Sequence, residues 1–452
     1  MIFKSINPYN LEIVAEYEGL SDAQIQQKLD TAATAFTSWK KTSFAHRREL
    51  MHRVVAILRR DSKALAHLIT TEMGKIIGES RAEIEKSAGH TAYFADNTEG
   101  MMRDEIVPFE GHKAMISFDP IGCIFAIMPW NYPFWQVFRY AAPTIMAGNV
   151  TILKHAPNVF GCAKAIETIF MEAGFPAGIF QSVVIDTPQT ERIIAADIVQ
   201  GVTLTGSEYA GSAVASLAGK HIKKSVLELG GSDPFIVLAD ADVEKAAKIA
   251  TQSRMMNAGQ ACICAKRFIV VDAVREAFTH YFQTNIAALK QGNPMDASVN
   301  LGPMARLDLA EKLTLQLAQT IGQGAKKLYG GEREKCHFKP TLVTNVNFGM
   351  SAFNEETFGP LATIIPVKNE EKAIELANNH RYGLAAAVWT TDLERGYRVA
   401  RQIESGNVFV NTLVRSDSRL PFGGVKKSGY GRELSAHGLK EFVNWKTILI
   451  AE

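Results

Sequence analysis

The sequence predicts an α/β protein built around parallel sheets, and three observations carry that prediction. Beyond residue 105, short β-type runs alternate with helical stretches, which is the texture of βαβ units. The chain has 452 residues, several times the ~150 of a typical domain, so two or three structural units are expected. Its 47% hydrophobic and 21% charged content is that of an ordinary globular enzyme with a large buried core.

Taken in order, the chain opens with a short extended lead-in followed by helices. Ser21 and Gln24 have capping-box form, and Ile25, Leu29, Ala32 and Phe36 repeat at helical spacing behind them. Leu50, Val54, Ile57 and Leu58 mark a second amphipathic helix, whose Arg47, Arg48, Arg53, Arg59 and Arg60 are expected on a solvated face. Residues 121–128 and 151–153 read as strands and 161–174 as a helix. A second α/β stretch begins near Pro234, with a helix at 242–254 and strands at 268–271, 361–365, 385–390 and 408–411. Gly-Pro pairs at 302–303 and 359–360 and the segment 421–424 are too short to separate domains and read as loops lining a cleft.

Charge and cysteine content exclude several classes. With 49 Lys+Arg against 47 Asp+Glu the formal charge is +2, which gives nucleic acid or an anionic membrane no bulk attraction. Five cysteines, at 123, 162, 262, 264 and 336, have neither disulfide-framework nor zinc-type spacing, so no metal is expected and a reducing compartment fits. The opening MIFKSINPYN lacks the basic start and apolar run of a signal peptide, and no membrane-length apolar run follows; the cytoplasm is the expected location.

Four places carry candidate chemistry. Cys262, in NAGQACICAKRF, lies between a predicted helix and a predicted strand; small neighbours admit a ligand, and Lys266 and Arg267 nearby would favour the nucleophilic thiolate. Read locally, it is equally an inert core thiol. Glu228, in VLELGGSDPF, is a carboxylate in apolar company before a Gly-Gly turn, suited to a base near neutrality, or else a strand residue facing solvent. Asn131, in IMPWNYPF, is fixed by aromatic and proline neighbours and offers an amide donor to an oxyanion; alone it is a turn former. Gly206, Ser207 and Gly211, in LTGSEYAG, sit between a β-type run and a helical one, which suits phosphate at a helix N-terminus, although no G-x-G-x-x-G is present.

These motifs, together with EETFGP at 355–360 and PFGGVKKSGYGREL from 421, occur in the order and spacing of the NAD(P)-dependent aldehyde dehydrogenase superfamily. The chain resembles that superfamily over nearly its whole length. The resemblance implies the aldehyde dehydrogenase fold: a Rossmann-like cofactor domain at 1–101 and 119–228, an α/β catalytic domain at 229–429, and a small β oligomerisation arm at 102–118 plus 430–452. Cys262 would then be the nucleophile, Asn131 and the Cys262 N–H the oxyanion donors, and Glu228 the base that hydrolyses the thioester. Trp130, Lys154, Gly206, Ser207, Glu356 and Phe358 would contact NAD or NADP. Pro157 stands where many NAD-specific relatives carry a glutamate, and VVIDTPQTERI at 183–193 replaces a glycine-rich turn, so the choice of cofactor is left open.

The resemblance also places Arg139, eight residues after Asn131, on the helix expected to line the substrate tunnel, where a guanidinium would capture a substrate carboxylate. Ser416 lies on the expected substrate loop, with Arg415 or Arg419 as further charge, whereas Met256 stands where a second arginine is common in such enzymes. The chain is similar to the compact bacterial branch of succinate-semialdehyde dehydrogenases. The alternatives are a general short-chain aliphatic aldehyde, glutarate semialdehyde or glyceraldehyde phosphate as substrate, or a fold kept without redox activity. Cys264, two residues from Cys262, is a possible redox partner for it or a packed core thiol. The apolar ending FVNWKTILIAE is an edge that a neighbouring subunit would cover, giving a homodimer or homotetramer.

Overall fold

The computed structural model describes residues 1–451. An antiparallel pair, Ile2–Ile6 with Ile13–Glu18, precedes four helices, Asp22–Trp39, Phe44–Arg60, Ser62–Met73 and Ile77–Met101. The first helix starts on the capping box: the Ser21 side chain accepts from the Gln24 N–H, and the Ser21 N–H donates to Gln24 Oε1 at 2.8 Å. In the second helix Arg47 departs from the expected solvated face. It is buried, and its guanidinium donates to the carbonyls of Met146 at 3.0 Å and Trp39 at 3.2 Å. The physical reason is a helix end: the chain leaves the helix Trp135–Met146 with unpaired carbonyls, and a buried guanidinium satisfies them.

The first large sheet has six strands in the order Gly429–Tyr430, Lys224–Glu228, Val199–Thr205, Cys123–Met128, Val150–His155, Phe180–Ser182. All neighbours are parallel except the first pair. Cys123–Met128 is flanked by the next strand in sequence on one side and by Val199–Thr205 on the other, so strand order reverses at its carboxyl end. Such a switch point opens a crevice for ligands, and Trp130, Asn131, Gly206 and Ser207 follow directly from these two strands.

The second sheet runs Lys326–Tyr329, Thr341–Thr344, Leu361–Val367, Ala265–Val271, Asp233–Val237, Ala385–Trp389, Asn407–Val410, parallel apart from its first pair. Its central strands are buried along their whole length, which explains why they read as continuous apolar runs without alternation. A third sheet joins Val443–Ala451, His112–Pro120 and Glu105–Val107 and leaves Trp445, Leu449 and Ile450 exposed. Two of the expected boundaries fall inside strands. His112–Pro120 runs past residue 118, and Gly429–Tyr430 pairs with Glu228 and Leu227 in the first sheet, so the closing segment returns to the cofactor side before reaching the third sheet. Among the described residues no helix is long and apolar enough to cross a membrane.

Candidate active site

Cys262 sits on a loop between the helix Val243–Met255 and the strand Ala265–Val271. The approach to it is unusual: Asn257, Ala258 and Gly259 take φ of 52°, 51° and 71° in succession. Only glycine adopts this region freely, so the two side-chain-bearing residues together cost about 2–4 kcal/mol. The strain is held by a polar net. Both carboxylate oxygens of Glu79 accept from the Asn257 N–H at 3.1 Å. Asn257 Nδ2 donates to the Asn131 carbonyl at 2.8 Å, Asn131 Nδ2 donates to the Gln260 carbonyl at 3.0 Å, and the Ala305 N–H donates to Gln260 Oε1 at 2.9 Å. Gly259 is required because a Cβ there would strike the Gly359 carbonyl.

One turn further along the same helix, Glu83 accepts from the Phe134 and Trp135 N–H groups at 2.8 and 3.0 Å and pairs with buried Lys75. Glu83 thereby caps the helix Trp135–Met146 that follows Asn131. Glu79 and Glu83, four residues apart on one helix, thus fix the Cys262 loop and the Asn131 loop from a common base. Neither carried a signal in the sequence, because each acts across a large sequence separation.

Two cavities meet at Cys262, of about 720 and 430 Å³. Burial pushes the Cys262 thiol up to about 12; Arg139 and Lys266 oppose this, while Glu228 and Asp233 add to it. Of the two cations expected nearby, Lys266 is present, donating to the Cys262 carbonyl at 2.7 Å. Arg267 is not. It turns away to the carbonyls of Ser232, Leu376 and Ala377, because its side chain projects from the other face of the strand Ala265–Val271.

Asn131 is 4% exposed and has spent one amide hydrogen on Gln260, leaving its second for a ligand. Glu228 ends the strand Lys224–Glu228, is 2% exposed, and has no protein partner on either oxygen. Desolvation drives its pKa well above the usual carboxylate range, with Arg139 opposing and Glu433 adding to the rise.

Arg139 differs from expectation. Its guanidinium is buried against Glu433, with which it forms an ion pair, and donates from Nη2 to Thr205 Oγ1 at 3.0 Å. It lines the smaller cavity, but with Nε and Nη2 engaged it presents no free bidentate fork. Glu433, from a segment nearly 300 residues away (433 − 139 = 294), neutralises it, which local sequence gives no means of foreseeing.

The larger cavity is lined by Trp130, Gly206, Ser207, Glu356 and Phe358 among others. Ser207 caps the helix Glu208–Lys220 by accepting from the Ala210 N–H, and Trp130 packs edge-to-face on Phe358 at 5.7 Å. Glu356 accepts from the Gly231 N–H at 3.0 Å and lies 3.4 Å from Lys266. A helix N-terminus at a sheet switch point, a carboxylate for ribose hydroxyls and an aromatic wall fit a nicotinamide dinucleotide. Lys154 lies outside the lining of this cavity. Burial lowers its pKa and Asp186, within the atypical 183–193 segment, opposes the shift.

The smaller cavity is lined by Lys86, Trp135, Arg139, Met256, Arg415 and Ser416 among others. Lys86, absent from the sequence reading, donates to Ser416 Oγ at 2.7 Å. Arg419 is instead tied to Asp417 at 2.7 Å. Cys264 is fully buried with its thiol against the Met256 carbonyl at 3.7 Å, and all five cysteines are free.

A half-buried thiol shared by a dinucleotide-shaped cavity and a second, cationic one is the layout of an oxidoreductase that works through a covalent sulfur intermediate. The chain belongs to the aldehyde dehydrogenase family, whose model matches residues 1–448. It is 45% identical over 447 residues to the NAD(P)+ succinate semialdehyde dehydrogenase Sad of Escherichia coli, covering 98% of this chain and 97% of the relative. It is also 45% identical to a probable NADP(+) succinate-semialdehyde dehydrogenase of Synechocystis, over 100% of both chains. Among solved structures, succinic semialdehyde dehydrogenase from Streptococcus pyogenes in complex with NADP+ superposes with a TM-score of 0.98 at 35% identity over 100% of both chains.

Proposed function

We propose that this protein oxidises succinate semialdehyde, or a similarly short carboxylated aldehyde, to the acid with NAD or NADP. The observation that carries the reading is the position of Cys262 on the wall common to both cavities, with Asn131 lining the larger one and the Glu228 carboxyl, outside both linings, near enough to act on the thiol's charge. The Cys262 thiol releases its proton to water in the cavity as its sulfur adds to the aldehyde carbon, and the resulting oxyanion is met by the second Asn131 N–H and the Cys262 backbone N–H. When bound, the dinucleotide supplies the hydride acceptor. Trp130, Gly206, Ser207, Glu356 and Phe358, which line the larger cavity, would hold it, and Lys154, outside that lining, is assigned to its adenosine ribose from the family resemblance. Glu228, unpartnered and raised in pKa, takes the proton from the water that releases the acid from sulfur.

The names of the relatives support the substrate class, and their NAD(P)+ and NADP(+) labels support acceptance of either cofactor. In this reading residues 1–101 and 119–228 hold the cofactor, 229–429 carry the thiol, and 102–118 with 430–452 form an arm. The exposed apolar edge at Trp445, Leu449 and Ile450 supports a homodimer or homotetramer, and five free thiols support a cytoplasmic setting.

The test is Cys262→Ala, assayed for nicotinamide reduction and, separately, for dinucleotide binding by fluorescence. Turnover is expected to vanish with binding retained; retained turnover overturns the mechanism.

A further inference from the structure

We infer that Lys86, held by Ser416, is the group that reads the far carboxylate of the substrate; the inference rests on the proposed use of a carboxylated aldehyde. Three observations separate Lys86 from the other cations of the smaller cavity. Its ammonium has three donors, and the one engaged partner among the described residues is the neutral Ser416 hydroxyl at 2.7 Å. Arg139, by contrast, already has its charge matched by Glu433. Lys86 also stands 4.0 Å over the Trp135 ring, which fixes the head of an otherwise flexible side chain on the wall that ends at Cys262. Arg415 lines the same cavity without an ion pair among the described residues, but no hydrogen bond orients it.

Charge at Lys86 has a pH signature. Its surroundings bring its pKa down to about 8, chiefly by desolvation, with Arg139 and Lys75 lowering it and Glu83 and Cys262 raising it. Of these neighbours Glu83 and Lys75 are paired with each other, and Cys262 keeps its proton to about 12. His90, one turn along the helix, is pushed down to about 3 and is neutral throughout. Lys86 is exposed to solvent at the cavity mouth, and water there limits the desolvation, so it carries its charge below about pH 8 and loses it at that pH or above.

The experiment is kcat/KM for succinate semialdehyde and for butyraldehyde, which share a carbon count and differ at the far carboxylate. The ratio cancels the ionisations of Cys262 and Glu228, which serve both substrates. For the wild type a preference for the semialdehyde is expected, falling as pH rises through about 8. In Lys86→Met the ratio is expected to drop roughly 10- to 100-fold and to lose its pH dependence, with the loss on the semialdehyde side. Lys86→Arg is expected to recover part of the ratio and to flatten its pH dependence.

A wild type without preference overturns the substrate reading and this inference together. A wild-type preference that survives Lys86→Met, or that disappears instead in Arg415→Met, overturns the inference and leaves the substrate reading standing.

Discussion

Glu79→Ala removes the acceptor that holds the Asn257 N–H, and with it the anchor of the left-handed run leading to Cys262. Burial raises the Glu79 pKa, which works against its charge; a hydrogen bond to a neutral acceptor contributes about 0.5–1.5 kcal/mol and one to a charged acceptor about 1.5–3 kcal/mol. The strain at Asn257 and Ala258 is about 2–4 kcal/mol, so the anchor lost is comparable to the strain it opposes. The loop is then free to relax, displacing the Cys262 N–H and, through Asn257 Nδ2, the Asn131 carbonyl. At about 1.4 kcal/mol per decade, misplacement of the oxyanion donors lowers kcat roughly 10- to 100-fold. Because relaxation returns strain energy, stability in urea falls by less than the hydrogen bond is worth. The assay is kcat for two aldehydes, one with and one without a carboxylate, alongside urea unfolding. Both rates fall together, and Glu79→Gln, which keeps one acceptor, falls less. A Glu79→Ala enzyme with kcat within about twofold of the wild type refutes the argument, since the positioning effect would then be absent.

Two further outcomes follow from the buried charges. Glu228 must lose its proton to act as a base, and burial has raised its pKa, so activity declines with falling pH along a limb well above the ordinary carboxylate range. Glu228→Gln removes that limb and leaves one equivalent of reduced dinucleotide per enzyme without steady turnover, measured by stopped-flow absorbance; unimpaired turnover counts against Glu228 as the base. Arg139→Leu strands Glu433 as a buried unpaired carboxylate and is expected to cost about 3–5 kcal/mol in urea unfolding. It also removes the charge that holds the Glu228 pKa down, so rates for both aldehydes fall together and the alkaline shift of the limb grows; a loss confined to carboxylated aldehydes would restore Arg139 as their anchor.

What the sequence determined by itself was what short-range pattern encodes. The capping box at Ser21, the apolar runs of the two parallel sheets and the segments around Asn131, Glu228 and Cys262 were legible because cap chemistry, strand burial and motif spacing are local. Tertiary structure decided which charges are available. Arg47 looked solvated and is buried at the end of another helix; Arg139 looked like a free anchor and is matched by Glu433; Arg267 adjoins the Cys262 loop and faces away. Lys86, unmarked in its helix, meets Ser416 across 330 residues (416 − 86). The physical reason is common to all four. A charge acts through what lies within a few ångströms of it and through how much water it has lost, and both are set by which distant segments the fold brings together.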